Sequence, residues 1–141
     1  MSNIHPLLVH FPVALLTVSF LFDVAGVLLN RVELNRTGWW MLVTGFAGVL
    51  FAVASGLFEE SGLALEGVPL SVLETHKQTA FAMVVCYAVV LLWRVAGKSL
   101  LPVRKRGIFW LLYGCGVMLL WVVAWYGGEL VHTHGVPFAF P

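Results

Sequence analysis

The chain has 141 residues, of which 60% are hydrophobic and only 11% charged, against roughly 25% charged in an ordinary soluble domain. At this length too little polar surface exists to cover so apolar a core, so a water-soluble fold is excluded and an integral membrane protein is indicated. The formal net charge of +1 leaves no basic footprint for nucleic acid.

The mean hydropathy of +0.94 is concentrated in four stretches. A helical span needs about 20 apolar residues to cross roughly 30 Å of hydrocarbon. The first stretch runs from about Leu7 to Leu29 and the second from about Gly38 to Phe58. The third, from about Thr79 to Trp93, is short unless Lys77 and Arg94 snorkel at its ends. The fourth runs from about Ile108 to Tyr126. No Lys or Arg occurs in the first eleven residues and no A-x-A site follows the first run, so that run reads as a retained helix rather than a signal peptide. The connections Asn30–Thr37, Glu59–Gln78 and Arg94–Gly107 are short, which favours antiparallel neighbours. The expected fold is an all-α, integral membrane four-helix bundle, up-down-up-down, forming a single domain over residues 1–141.

Charge sets the expected orientation. Arg31 and Arg36 lie in the first connection, and Arg94, Lys98, Arg104, Lys105 and Arg106 at the third. Lys77 is on the other side. The positive-inside rule puts these two connections in the cytoplasm and both termini outside, in the periplasm if this is a bacterial inner membrane. The Glu59–Gln78 loop, with Glu59, Glu60, Glu66 and Glu74, then also faces outward. Trp39, Trp40, Trp93, Trp110, Trp125 and Tyr126 fall near span ends, as interfacial aromatic belts do. Thr44, Gly48, Ala52 and Gly56 recur every four residues in the second span, a small-residue stripe expected to admit a neighbouring helix, or else a cofactor or subunit.

All five histidines fall on the outward side. His5 and His10 open the first span, His76 precedes the third, and His132 and His134 follow the fourth. His5 and His10 are separated by only about 7–8 Å of helix rise, so one layer can hold them all. Pro6 suits a first helical turn. Pro12 either starts the helix or bends it beside His10, which places His10 on irregular backbone at membrane depth. Ionisable groups in a membrane are costly and point to function. Imidazole suits haem iron, copper, zinc and non-haem iron. The expected site is a b-type haem ligated by His10 and His76 from diagonal helices, with His134, His132 or His5 contacting propionates or acting as alternative ligands. Ligands at one depth only mean electron exchange at the outer face, with a quinol or an external redox protein. The competing site is a copper, zinc or iron centre built from His132, His134, Glu59 and Glu129, in which Glu129-Leu130-Val131-His132 supplies a Glu-x-x-His. A cofactor-free structural subunit is the third class. Asp23, inside the first span, is expected to pair with Arg31 or Arg94, or to relay protons. Cys86 and Cys115 belong to no C-x-x-C pattern and are expected to be buried free thiols.

The motif His5-Pro6-x-x-Val9-His10-Phe11-Pro12 resembles the opening signature of a bacterial family of predicted four-helix membrane proteins of unknown function. Ala54-Ser55-Gly56 and Gly127-Gly128-x-Leu130-Val131-x-x-His134-Gly135-Val136 resemble its second and last signatures. The resemblance covers nearly the whole chain. It implies a four-span domain with His5, His10, His76 and His134 at motif positions. Relatives fused to Rieske or c-type cytochrome domains suggest redox work by association. The chain departs from the pattern at Glu59 and Glu60, where the family tends to carry Asp, and at His132, where an aromatic residue is more usual.

The orientation is directly testable in a Cys86→Ser/Cys115→Ser background. Cysteine at Arg31→Cys or Lys105→Cys is expected to react with an impermeant maleimide only from the cytoplasmic side of membrane vesicles. Cysteine at Glu66→Cys should react only from the opposite side, and the reverse pattern would invert the topology.

Overall fold

A computed structural model describes residues 4–60, 70–98, 101 and 106–132, with side chains described for 9–57, 70–98, 101 and 107–130. The architecture is all-α, with four helices: α1 (Ile4–Leu28), α2 (Val32–Glu60), α3 (Leu70–Ala96) and α4 (Arg106–His132). Among the described residues there is no strand. Every helix is long and apolar enough to cross a membrane, over Val9–Leu28, Val32–Leu57, Leu70–Ala96 and Gly107–Leu130.

The helices outrun the apolar stretches that reveal them. α2 begins at Val32, six residues before Gly38, and α3 at Leu70, nine before Thr79. Hydropathy marks only the part of a helix that needs hydrocarbon. The polar turns beyond it, such as Glu33 to Thr37 and Glu74 to Gln78, satisfy their backbone within the helix and simply extend it. Arg36, Glu59, Glu60, Glu74 and Arg94 therefore belong to helices rather than connections. The α1–α2 turn is closed by a left-handed Asn30 (φ 53°), with Arg31 N–H donating to the Gly26 carbonyl at 2.9 Å. This is a Schellman termination, in which Asn tolerates the conformation that glycine usually fills.

α1 lies against α2 and α4, and α3 against α4 and α2, so α1 and α3 are diagonal. The bundle is two helical hairpins laid side by side. Both hairpin turns occupy one end, here the hairpin end; the start of α1, the end of α2, the start of α3 and the end of α4 share the other, the terminal end. In lipid the hydrophobic effect does not hold helices together, so close packing and polar contacts must.

Within the first hairpin, α1 buries Pro12, Leu16, Ser19, Asp23 and Gly26, and α2 buries Gly38, Leu42, Gly45, Val49 and Ala52. A Cβ at Gly45 would lie 2.9 Å from Leu16, and one at Gly48 would lie 3.3 Å from the Pro12 ring. The sequence stripe of Thr44, Gly48, Ala52 and Gly56 is only partly this seam. A four-residue repeat drifts about 40° per step on a 3.6-residue helix, and Thr44 is exposed, its hydroxyl donating to the Trp40 carbonyl at 2.8 Å. Pro12 lies inside a continuous α1. The helix does not start there, and the backbone of His10 is helical, because the buried ring replaces the missing hydrogen bond with packing against Gly48.

In the second hairpin, α3 turns Met83, Tyr87, Val90 and Arg94 inward, and α4 turns Phe109, Tyr113, Gly116 and Leu120 inward. A Cβ at Gly116 would lie 3.4 Å from the Tyr87 ring and one at Gly127 would lie 3.4 Å from the His76 ring, so each ring packs on a glycine. Both contacts are eleven residues apart on each helix, so the antiparallel register holds over three turns. Three of the tryptophans expected in interfacial belts, Trp39, Trp93 and Trp110, instead pack against the core. Trp40 and Trp125 are exposed, as are Leu21, Phe51, Phe81, Leu92, Leu111 and Met118 around the outside of the bundle, the surface a lipid-facing protein presents.

Gly45→Leu is expected to force α1 and α2 apart and to destabilise the protein by about 1–3 kcal/mol, the usual cost of overpacking a tight contact. Unfolding by SDS titration in detergent micelles measures it. A variant as stable as the parent would show that the seam has slack.

Candidate functional site

Two polar regions occupy the bundle, one at each end. The terminal end carries the histidines. His10 and His76 each stand six residues after the start of α1 and α3, about 9 Å along their own helices. They face differently. His10 is exposed, on the side of α1 that also exposes Ala14, Leu21 and Leu28, opposite buried Pro12. His76 is half-buried and continues the inward stripe of Met83, Tyr87, Val90 and Arg94, its Cε1 against Gly127. Measured from the Asp23–Arg94 pair, His10 stands 13 residues and His76 18 residues toward the terminal end, so His76 lies about 7–8 Å further out; one faces inward and the other outward on diagonal helices.

His5 is in α1 and His132 closes α4, with side chains outside the described set; His134 lies outside the described residues. Glu59 is in the last turn of α2, likewise without a described side chain. Glu129 is half-buried on α4, beside buried Leu130. Glu66, Arg104 and Lys105 lie outside the described residues. Among those described, no group of three or more His, Cys, Asp or Glu side chains forms a metal cluster. Toward the middle of the bundle, Leu16, Leu42, Val49, Met83, Tyr87 and Leu120 fill the interior. The Tyr87 hydroxyl has no hydrogen-bond partner among the described residues; ring packing on Gly116 and an edge-on Tyr113 at 6.1 Å offset its burial.

The hairpin end holds a buried ion pair. Asp23 of α1 and Arg94 of α3 are both 0% exposed and form a salt bridge. Of the two partners expected for Asp23, the fold selects Arg94. This arginine therefore does not snorkel from the third span but turns into the bundle. Arg94 Nη2 also donates to the Asn35 carbonyl of α2 at 3.1 Å, and its guanidinium lies over the Trp39 ring at 5.3 Å. Asn35 Nδ2 donates to the Asp23 carbonyl at 3.0 Å. Ser19 Oγ donates to the Gly38 carbonyl at 2.6 Å and lies 2.7 Å from the Tyr113 hydroxyl of α4. A Cβ at Gly38 would lie 2.7 Å from Asp23 Oδ1, so the absence of a side chain there makes room for the carboxylate. All four helices thus meet on one network. Phe20 and Tyr113, with centroids 5.1 Å apart, seal it beside Trp110 and Phe109.

Ser19, Asn35 and Tyr113 were not singled out from the sequence, and Gly127 was singled out only as part of a family signature. A signal existed in part: His76, Met83, Tyr87, Val90 and Arg94 follow one helical face, which joins the outer histidine to the inner arginine. The matching faces on α1, α2 and α4 become visible only once the helices are paired.

The fold defines the class, an all-α four-span membrane protein. The family model described as Predicted membrane protein (DUF2231) matches residues 1–139, and the chain belongs to this family. Neither curated proteins nor solved structures give a match to it.

The ion pair can be weighed by a double-mutant cycle. Arg94→Met alone is expected to cost about 3–5 kcal/mol, because it leaves Asp23 buried without its partner. Asp23→Leu combined with Arg94→Met should cost markedly less than the sum of the single changes. Unfolding in detergent reads both, and simple additivity would deny the coupling.

Proposed function

We propose that this protein is a bacterial inner-membrane redox protein that holds a b-type haem at its terminal end and exchanges electrons at the periplasmic face. The observation that carries the reading is the position of His76. It is an imidazole on the inward stripe of α3, at the end where the other histidines of the sequence also fall, set against a glycine that leaves space beside the ring.

The residues present fit a haem in their chemistry. His76, which the bundle directs inward, would be a ligand to its iron, and His5 or His134 would supply a second ligand or the contacts to propionates. Bound there, haem supplies a one-electron couple whose potential its ligands and burial tune. The chain's own part is to orient the imidazoles, to keep water from the apolar layer of Val49, Met83 and Leu120 below them, and to receive the partner. His10 faces the lipid side of α1, where a quinol diffusing in the membrane meets an imidazole able to accept its proton. A soluble redox protein would instead dock at the periplasmic end. The inner end, with its basic residues, is assigned to the cytoplasm on the positive-inside rule. The second reading is a copper, zinc or iron centre using Glu129 with Glu59, His132 and His134, favoured by the half-buried Glu129 one turn before the end of α4.

The test is the absorption spectrum of detergent-purified protein, oxidised and dithionite-reduced, with a pyridine haemochrome assay and metal analysis. A Soret band with about one haem per chain is expected, lost in His76→Ala and reduced in Gly127→Leu, whose side chain would displace the ring. Stoichiometric copper, zinc or iron without a Soret band would select the second reading. Protein with neither, from cells supplied with both, would sink the redox assignment.

A further inference from the structure

The membrane-embedded cysteines are a pair. Cys86 of α3 and Cys115 of α4 each stand one residue before the partners Tyr87 and Gly116, which touch across the seam. In an antiparallel pair, one step back along both helices turns both side chains to the same flank. The two thiols are near enough there to interact with one another, and neither is in a disulfide. The expectation that both would be buried fails for Cys115, which is exposed, while Cys86 is half-buried, because the flank faces outward rather than into the core. Cys86 lies ten residues from the end of α3 and Cys115 nine from the start of α4, so both sit about 14–15 Å from the hairpin end, deep in the hydrocarbon. The surface around them is apolar, with Val89, Ile108 and Val122 exposed. Cys115 is bracketed by Gly114 and Gly116, and the space at Gly114 is open.

We propose that Cys86 and Cys115 are an oxidisable dithiol inside the membrane, converted to a disulfide by a lipid-soluble quinone as two-electron oxidant. Depth and exposure select the oxidant. A thiolate is costly in hydrocarbon, which disfavours charged oxidants and metal–thiolate chemistry at this position. Hydrogen transfer to a quinone leaves no net charge behind. Both S–H bonds break and one S–S bond forms; the two electrons and two protons pass to the quinone oxygens, which become those of a quinol. The couple rests on the sulfur pair alone and stands whether or not the histidines hold a haem.

The experiment uses the full chain in lipid nanodiscs, reduced and then incubated without air with a short-tailed ubiquinone. Remaining thiols are blocked with maleimide and the intact mass is measured, while quinol formation is followed by absorbance. The expected product is an unlabelled monomer two hydrogens lighter, with about one quinol formed per chain, as the stoichiometry of a two-electron dithiol couple requires. Cys86→Ser and Cys115→Ser should each form no such product and no quinol. Two labelled thiols after quinone treatment would overturn the proposal. So would disulfides found only between chains, or a disulfide formed with a water-soluble oxidant but not with the quinone.

Discussion

The bundle depends on one buried charge pair. Asp23 and Arg94 belong to different hairpins, and each is held at a depth where an unpaired charge would be intolerable. In a bilayer, apolar side chains gain little by leaving lipid for protein, so two helical hairpins have weak reason to associate through their Leu and Val surfaces. A charge on each, completed by Asn35, Trp39, Ser19 and Tyr113, gives them one relative position in which every partner is reached. The pair therefore acts chiefly as a specifier of arrangement. Its net energy is the difference between large desolvation and Coulomb contributions.

Each hairpin solves its own packing differently. α1 and α2 approach through small residues, with Gly45 and Gly48 receiving Leu16 and Pro12. α3 and α4 keep larger side chains between them and use single glycines as sockets, Gly116 for Tyr87 and Gly127 for His76. The socket at Gly127 links fold to chemistry. The packing rule that seats a tyrosine in mid-membrane seats an imidazole three turns higher, toward the terminal end. The pairing of Tyr87 with Gly116 also fixes the neighbouring cysteines side by side. Register, once set at the hairpin end by Arg94 and Asp23, is transmitted up the seam by rigid helices.

The two ends thus divide the work. The hairpin end is closed, charged and fully paired, and its network is occupied by structure. The terminal end carries the histidines, and it is there that binding and electron exchange are proposed. Between them the mid-membrane layer is apolar on the inside and carries the thiol pair on its lipid flank.

Much was legible in the sequence. Four apolar stretches of span length determine four helices, because a backbone in hydrocarbon must satisfy its own hydrogen bonds. The histidines at His5, His10, His76, His132 and His134 can be assigned to one end from the alternation of spans alone. The charge of Asp23 demanded a partner, and the sequence reduced the candidates to two. Tertiary structure decided what depends on rotation and pairing of the helices. It chose Arg94 over Arg31, turned His76 inward and His10 outward, drew Trp39, Trp93 and Trp110 into the core, and brought Cys86 to Cys115. Hydropathy reports how deep a residue lies but not which way it faces; facing is set by which helices touch and in what register, and those are properties of the assembled bundle.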